Sequence, residues 1–398
     1  MTDNVIVRVA AKGDGVTSDG RHIAGTAPGD RILPDGRIEP GEHRQRPPCR
    51  HFAKCGGCQL QHLDDEAVRQ FVTDRVVHAA AGQGLEPITL LPTHLSPPSS
   101  RLRATLHAQA IGKRVVLGYR EERSHRIVDI RECPVLRPEL FRLFGPLRDL
   151  LSRYSPRGSI DVGMTLTDQG PDIQLSGIEP DGLDAIEALT RFAMDNNLAR
   201  LTLDQGFGAE TFYEPQPVTV TWNNIPVSFP AGAFLQATQD GAERLIADTR
   251  VGVANAESVA DFFSGLGMLA FGVAEGRSVA AFEAARDAHL ACRQAAATGA
   301  LHVEAHHRDL FRNPLQPDEL SRFDAVILDP PRAGAREQIA SVAKSEVPRV
   351  VYVSCNPSSW ARDAQTLCEA GFRLETLRPV GQFRWATHVE LTSVFTRG

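Results

Sequence analysis

No stretch of this chain approaches the roughly 20 uninterrupted apolar residues that a membrane helix needs, so a helical membrane protein is excluded. The opening MTDNVIVRVAAKGDG has neither the basic start nor the apolar run of a signal peptide. Both absences point to the cytoplasm, where cysteines stay reduced and tend to bind metal or react rather than pair. A positive excess is missing too. The net charge of −6 argues against a protein that coats nucleic acid indiscriminately. No internal repeat and no low-complexity tract is present, and nothing calls for an obligate protein partner.

What is present is chain enough for two or three domains with a sizeable core: 398 residues, 42% of them hydrophobic. Charge is unevenly placed. Residues 44–58 hold Arg44, Arg46, Arg50 and Lys54 and no acid, while residues 101–137 hold nine Lys or Arg against four Asp or Glu. Basic patches on an acidic body suit a site-specific polyanion, because phosphate contacts supply affinity and register. On charge alone, an ordinary solvated face is the simpler reading.

Three regions can be distinguished. Residues 1–47 are rich in Gly, Asp and Pro, with short runs such as VIVRVA and DRIL between turn signals, and read as a small β-module. Residues 48–215 read as a mixed α+β central domain, with an apolar-periodic stretch from about 64 to 80 and the strand-like RATLHAQAIG and RVVLGYR. From 216 to 398 short apolar strands (SVADFF, SVAAFE, FDAVILD, RVVYVSC) alternate with helical stretches. That pattern predicts an α/β domain built on a doubly wound parallel sheet.

Ligands of such sheets bind beyond the carboxyl ends of the strands. The first strand runs into FFSGLGM, where Gly265 and Gly267 give a tight turn, and the second ends at Glu283, twenty residues after Phe263. An acid there can accept hydrogen bonds from ribose hydroxyls, which suits an adenosine-containing cofactor. The complete G-x-G-x-x-G of a dinucleotide site is lacking. The strand FDAVILD continues into DPPRAG, whose two prolines have no N–H to donate and stiffen the loop. Such a loop commonly walls S-adenosylmethionine sites that act on bases.

Taken together, CRHFAKCGGCQLQHL, LGYREERSHRIVDIRECPVL, GAFLQATQ, DFFSGLG, ILDPPRAG, YVSCNPSSWARD and THVEL resemble the uracil-C5 RNA methyltransferase family, in its iron–sulfur-containing 23S rRNA branch. The resemblance implies a Rossmann-like S-adenosylmethionine methyltransferase domain and a TRAM-like N-terminal module, much reduced. It also implies catalytic Cys355 and Glu390, with Gln236, Phe263, Gly265, Glu283, Asp309 and Asp329 around the cofactor. The chemistry explains these residue types. Carbon 5 of uracil is too weak a nucleophile to take a methyl group unaided, and a thiolate adding to carbon 6 makes it an enolate. A base must then remove the proton on carbon 5 before the thiolate can leave. His388, two residues before Glu390, is read equally as an orienting group or a packed histidine. Met268 and the helix ACRQAAATG depart from the family pattern, and Cys292 and Cys368 read as packing residues.

Cys49, Cys55 and Cys58 are spaced C-x5-C-x2-C, and Cys133 follows in RECPVL. Four thiolates suit zinc or an iron–sulfur cluster, and spacing does not separate the two. The resemblance implies a 4Fe–4S cluster, structural rather than catalytic, bracing a basic region. Arg101, Arg103, Arg120, Arg123 and Arg126 are the expected phosphate contacts there. The substrate expected is a loop or bulge uridine, whose base must leave its stack to be reached, in 23S rRNA or, alternatively, tRNA. Two rival readings stand beside this one: an exocyclic-amine methyltransferase, and a non-catalytic iron–sulfur RNA-binding protein.

Overall fold

Residues such as Arg349–Ser354, RVVYVS, form a strand because β-branched and aromatic side chains fit a pleated surface covered on both faces. Five of its six residues are buried. The computed structural model describes residues 4–112, 114–122, 124–154, 158–206, 208–299 and 301–398, so Arg123 lies outside the described residues. The strand belongs to a nine-stranded sheet in the spatial order Val303–His307, Ser278–Glu283, Ser258–Phe262, Ala325–Leu328, Arg349–Ser354, Glu390–Thr396, Arg373–Gly381, Thr89–Leu90, with His94–Leu95 also on Arg373–Gly381. The first five run parallel; Glu390–Thr396 is antiparallel to both its neighbours. Strand order reverses beside Ser258–Phe262, the kind of crevice where such sheets bind ligands. The expected α/β architecture with its Rossmann-like methyltransferase core is present.

The helix Asp65–Ala81 matches the apolar-periodic stretch. Asp64 caps it by accepting from the Ala67 N–H at 2.8 Å, and Asp65 and Glu66 in its first turn complement the helix dipole. Its buried face (Val68, Phe71, Val72, Val76) packs on the helix Pro357–Glu369 and the strand Arg373–Gly381. At the N-terminus, Ile6–Val9, Gly15–Thr17 and His22–Ile23 form a three-stranded sheet, and Arg31–Ile32 pairs with Ile38–Glu39. No described helix is long and apolar enough to cross a membrane.

A six-stranded sheet fills the middle of the chain, ordered Ala209–Tyr213, Arg200–Asp204, Gly170–Ser176, Ile160–Thr167, Arg103–Ile111, Arg114–Gly118. One face (Leu106, Val162, Ile173, Leu201) packs on the helices Phe144–Ser152 and Leu183–Asp195. The other face is polar. There Arg200 grips Asp172 on the neighbouring strand through two hydrogen bonds of 3.1 and 2.6 Å, both side chains being buried. Replacing Arg200 with Leu leaves that carboxylate buried without its cation. Urea unfolding should show a loss of about 3–5 kcal/mol.

Candidate active site

Four of the expected site residues converge at the carboxyl edge of the large sheet through its reversed strand. Ser354 pairs with Leu391, and Val380 pairs with Glu390. The start of Glu390–Thr396 therefore lies beside the end of Arg349–Ser354, where Cys355 follows. Asp329 sits one strand away, after Ala325–Leu328.

A hydrogen-bond chain links the carboxyls. Gln236 Nε2 donates to Asp329 at 3.4 Å, Gln382 Nε2 donates to Gln236 Oε1 at 2.7 Å, and Gln382 Nε2 also donates to Glu390 Oε2. Gln382 is itself held by the N–H groups of Ala237 and Thr238, which donate to its Oε1 at 3.0 and 3.3 Å. This glutamine carries no signal in the sequence. It directly follows a strand, and apart from Glu390 its partners lie some 145 residues away.

Burial sets the electrostatics. It pushes the Glu390 carboxyl up to about 8, with the charge of Asp329 adding and the Gln382 hydrogen bond opposing. Burial likewise pushes Asp329 up to about 7. The Cys355 thiol is raised by burial and then by Glu390 and Asp329, with Arg332 working the other way. The two carboxyls thus favour the neutral thiol over the thiolate. Burial pushes His388 down to about 4, helped by Arg332, Arg101 and Arg75. Neutral His388 accepts from Arg332 NH2 at its Nδ1 at 3.2 Å and stacks edge-on against Phe383 at 4.4 Å. Its Nε2 lies 3.9 Å from Glu390 Oε1, too far for a hydrogen bond.

YVSCNPSSWARD braces the proline loop. Asn356 Nδ2 and Ser359 Oγ donate to the Arg332 carbonyl at 2.9 and 3.0 Å, and the Tyr352 hydroxyl and Ala335 N–H donate to Asp363 at 2.6 and 2.7 Å. The Asn-Pro is the start of a helix rather than a free turn: Asn356 caps Pro357–Glu369, with Pro357 in its first turn.

Four of the residues expected around the cofactor lie at the ends of the strands Ser258–Phe262, Ser278–Glu283 and Val303–His307. Glu283 accepts from the Gly265 N–H at 2.8 Å and the Ala285 N–H at 2.6 Å, which locks the glycine turn to the second strand. Gly265 has φ +54° and open space where a side chain would be, as an approaching ligand requires. Phe263, also at positive φ (61°), packs its ring 5.2 Å from Phe311. Asp309 caps the next turn, accepting from the Phe311 N–H at 3.0 Å. An open backbone cradle flanked by a strand-end carboxylate and an aromatic ring fits the adenosine and ribose of S-adenosylmethionine. Met268, where the family pattern is departed from, is buried in the core.

The metal expectation needs correction. Cys49, Cys55, Cys58 and Cys133 do line one cavity, beside Tyr119 and Arg101, but its volume is about 20 Å³, room for about one water. Among the described residues no group of three or more His, Cys, Asp or Glu side chains could hold a metal ion. Burial pushes Cys55 up to about 11 and Cys58 up to about 12, and raises Cys49 and Cys133 too. Neither a 4Fe–4S cluster nor zinc is supported. The cysteine loop is tied down by the backbone: Gly56 N–H donates to the Arg120 carbonyl at 3.0 Å, and Gln59 and Leu60 N–H donate to the Trp385 carbonyl at 2.8 and 2.9 Å.

The basic residues divide. Arg44 is spent on buried Asp30, and Arg50 pairs with Glu132 at 3.1 Å. Arg126 lies 3.7 Å from Glu121 and is 79% exposed in its side chain. Arg101 lies over the Phe383 ring at 5.3 Å, at the His388 side of the site.

Residues 302–397 match the family described as tRNA (Uracil-5-)-methyltransferase. An uncharacterized RNA methyltransferase of Zymomonas mobilis is 50% identical over 98% of this chain and 99% of its own. The 23S rRNA (uracil(1939)-C(5))-methyltransferase of Pectobacterium atrosepticum is 30% identical over 90% of this chain and 81% of its own. The Pyrococcus abyssi tRNA (uracil-54, C5)-methyltransferase, solved with S-adenosyl-L-homocysteine, shares the fold at a TM-score of 0.77 and 19% identity, over 99% of this chain and all of that one. With the strand-end site in place, these likenesses put the chain in the uracil-C5 RNA methyltransferase family, as an S-adenosylmethionine-dependent RNA (uracil-C5) methyltransferase.

Proposed function

We propose that the chain methylates a tRNA uridine through a covalent intermediate on Cys355, with Glu390 as the base. The carrying observation is the register of the reversed strand, which brings Glu390 to the edge where Cys355 emerges. The Cys355 thiol loses its proton to solvent, the thiolate Sγ bonds to carbon 6, and the electron pair of the 5,6 double bond moves into the ring carbonyl. Bound S-adenosylmethionine supplies the methyl group and a positive charge. Glu390 then takes the proton from carbon 5, the double bond re-forms and the Cys355 sulfur leaves. Gln236 and Asp329 would help to hold bound S-adenosylmethionine, with Glu283 and Phe263 at its adenosine. Arg332 stands where exocyclic-amine methyltransferases place a stacking aromatic, and its bond to His388 makes it part of the cationic wall with Arg101 and Arg75.

A tRNA substrate replaces the 23S rRNA expected from the motifs. The family description matched by residues 302–397 names tRNA, and so does the full-length fold relative. A 23S rRNA uridine is the second reading, favoured by the Pectobacterium relative. Unmodified tRNA and 23S rRNA, incubated with methyl-labelled cofactor and digested to nucleosides, decide between them. Labelled 5-methyluridine from tRNA is expected. Label confined to rRNA overturns the choice of RNA, and label on an exocyclic amine overturns the chemistry.

Gln382 is read as a positioning residue for Glu390. Its hydrogen bond holds the carboxyl and opposes the upward pull of burial. Gln382→Met should lower kcat roughly tenfold, on the scale of one lost hydrogen bond to a charged group. It should also shift the rising limb of the pH–kcat profile to higher pH than in wild type. An unshifted profile would leave Gln382 a packing residue.

A further inference from the structure

The polar face of the central sheet is roofed at one place by the loop running from Pro230 to Gln236, and a cavity of about 140 Å³ lies between them. Its floor is a row of side chains set in register across four strands. Thr202 pairs with Gln174, Gln174 with Gly163, and Gly163 with Thr105. The absent side chain of Gly163 opens the middle of the row, and Gly232 and Ala233 form the roof. Thr202 is 1% exposed, yet its hydroxyl has no hydrogen-bond partner among the described residues. An orphaned buried hydroxyl is costly unless something else satisfies it.

Arg103, which lines the cavity, and Phe234, next to its roof residue Ala233, suit nucleic acid. Phe234 is 64% exposed, and the Arg103 guanidinium lies 5.0 Å over its ring while donating to the Leu235 carbonyl at 3.0 Å. An exposed aromatic with a cation beside it is a platform for an unstacked base. The same loop carries Gln236 into the active site, at most about 14 Å of chain from Gly232. A cavity of roughly 150 Å³ holds a six-membered ring. The lining offers both donors and acceptors in the Gln174 amide and the Thr202 and Thr105 hydroxyls, as the edge of a base requires.

We propose that this cavity is a second base-binding site, which takes one unstacked pyrimidine of the substrate RNA close to the uridine being methylated. The proposal rests on the reading that RNA is the substrate. It assigns the polar sheet face a role in fixing the register of the strand, whereas Cys355 and Glu390 act on the target base.

The test uses the full chain and oligouridylate 12-mers carrying 4-thiouridine at single positions, cross-linked by near-ultraviolet light and mapped by mass spectrometry. Cross-links to residues 163–174 or 230–236 are expected. Thr202→Val keeps the volume and removes only the hydroxyl, and Gly163→Val fills the cavity. Each should weaken oligouridylate binding about tenfold and remove those cross-links, with S-adenosylmethionine binding unchanged. In a merely structural role, Thr202→Val leaves RNA binding as in wild type. Cross-links confined to the surroundings of Cys355, or both variants binding RNA like wild type, overturn the proposal. Failure of the methylation reading looks different: wild type methylates no RNA, whatever the cross-links show.

Discussion

Cys355→Ala forms no covalent complex with RNA containing 5-fluorouridine, while the wild-type chain, given S-adenosylmethionine, is trapped on it. Fluorine at carbon 5 cannot leave as a proton, so the reaction halts with the sulfur still bonded to carbon 6. The alanine variant should also lose at least about four orders of magnitude in methyl transfer, as enzymes do when a nucleophile is removed. Its fold should survive, because the bonds of this motif run through other residues: Asn356, Ser359, Tyr352 and Asp363 brace the proline loop without the sulfur. Cys355→Ser should be nearly as inactive, a hydroxyl being the weaker nucleophile. The raised thiol adds a pH signature. Adduct formation by wild type should speed up as pH rises, because the thiolate is the attacking form. An adduct formed by the alanine variant, measured by retarded migration of protein with RNA, would place the nucleophile elsewhere.

The parallel strands were legible because strands buried on both faces are near-continuous apolar runs, and their ends mark the ligand edge. Glu283 follows from that reading by position; Phe263, Asp329 and Cys355 lie at the same edge, but their expected roles came from the family resemblance. Glu390 does not follow from it. THVEL looks like a strand carrying His388 and Glu390 on one face, yet the strand begins at Glu390, and the two side chains meet from a turn and a strand start. Its nearness to Cys355 comes from the antiparallel pairing, which no local pattern encodes. Helix Asp65–Ala81 shows the same limit: periodicity says that a face is buried, not that it packs on a strand some three hundred residues later. Cysteine spacing misled for a related reason. It says that sulfurs can approach one another, while the space between them and their burial decide what they do there.

The second large effect belongs to Glu390. Glu390→Gln should still attack and methylate ordinary uridine, then stall, because amide nitrogen cannot take the carbon 5 proton. A methylated RNA–protein adduct should therefore accumulate without fluorine, and turnover should fall by about 10²–10⁴, the usual contribution of a general base. In wild type, turnover should climb with pH until the carboxyl held at about 8 is ionised. The same burial makes a stability prediction whose sign is fixed. The folded value lies above the ordinary 4.5, so between pH 4.5 and 8 the folded chain holds a proton that the unfolded chain has released, and stability is lost as pH rises through that window. Glutamine has no charge to bury. Glu390→Gln should melt at a higher temperature than wild type at pH 8, and the two should converge below about pH 4.5. If the gain is absent at pH 8, or is equally large at pH 4, the carboxyl is not carrying the buried charge assigned to it. If the variant turns over normally, another group removes the proton. Adduct and melting curve report separately on the two roles, so a variant that stalls without becoming more stable would mean that the carboxylate is already relieved in the folded chain, with its base role intact.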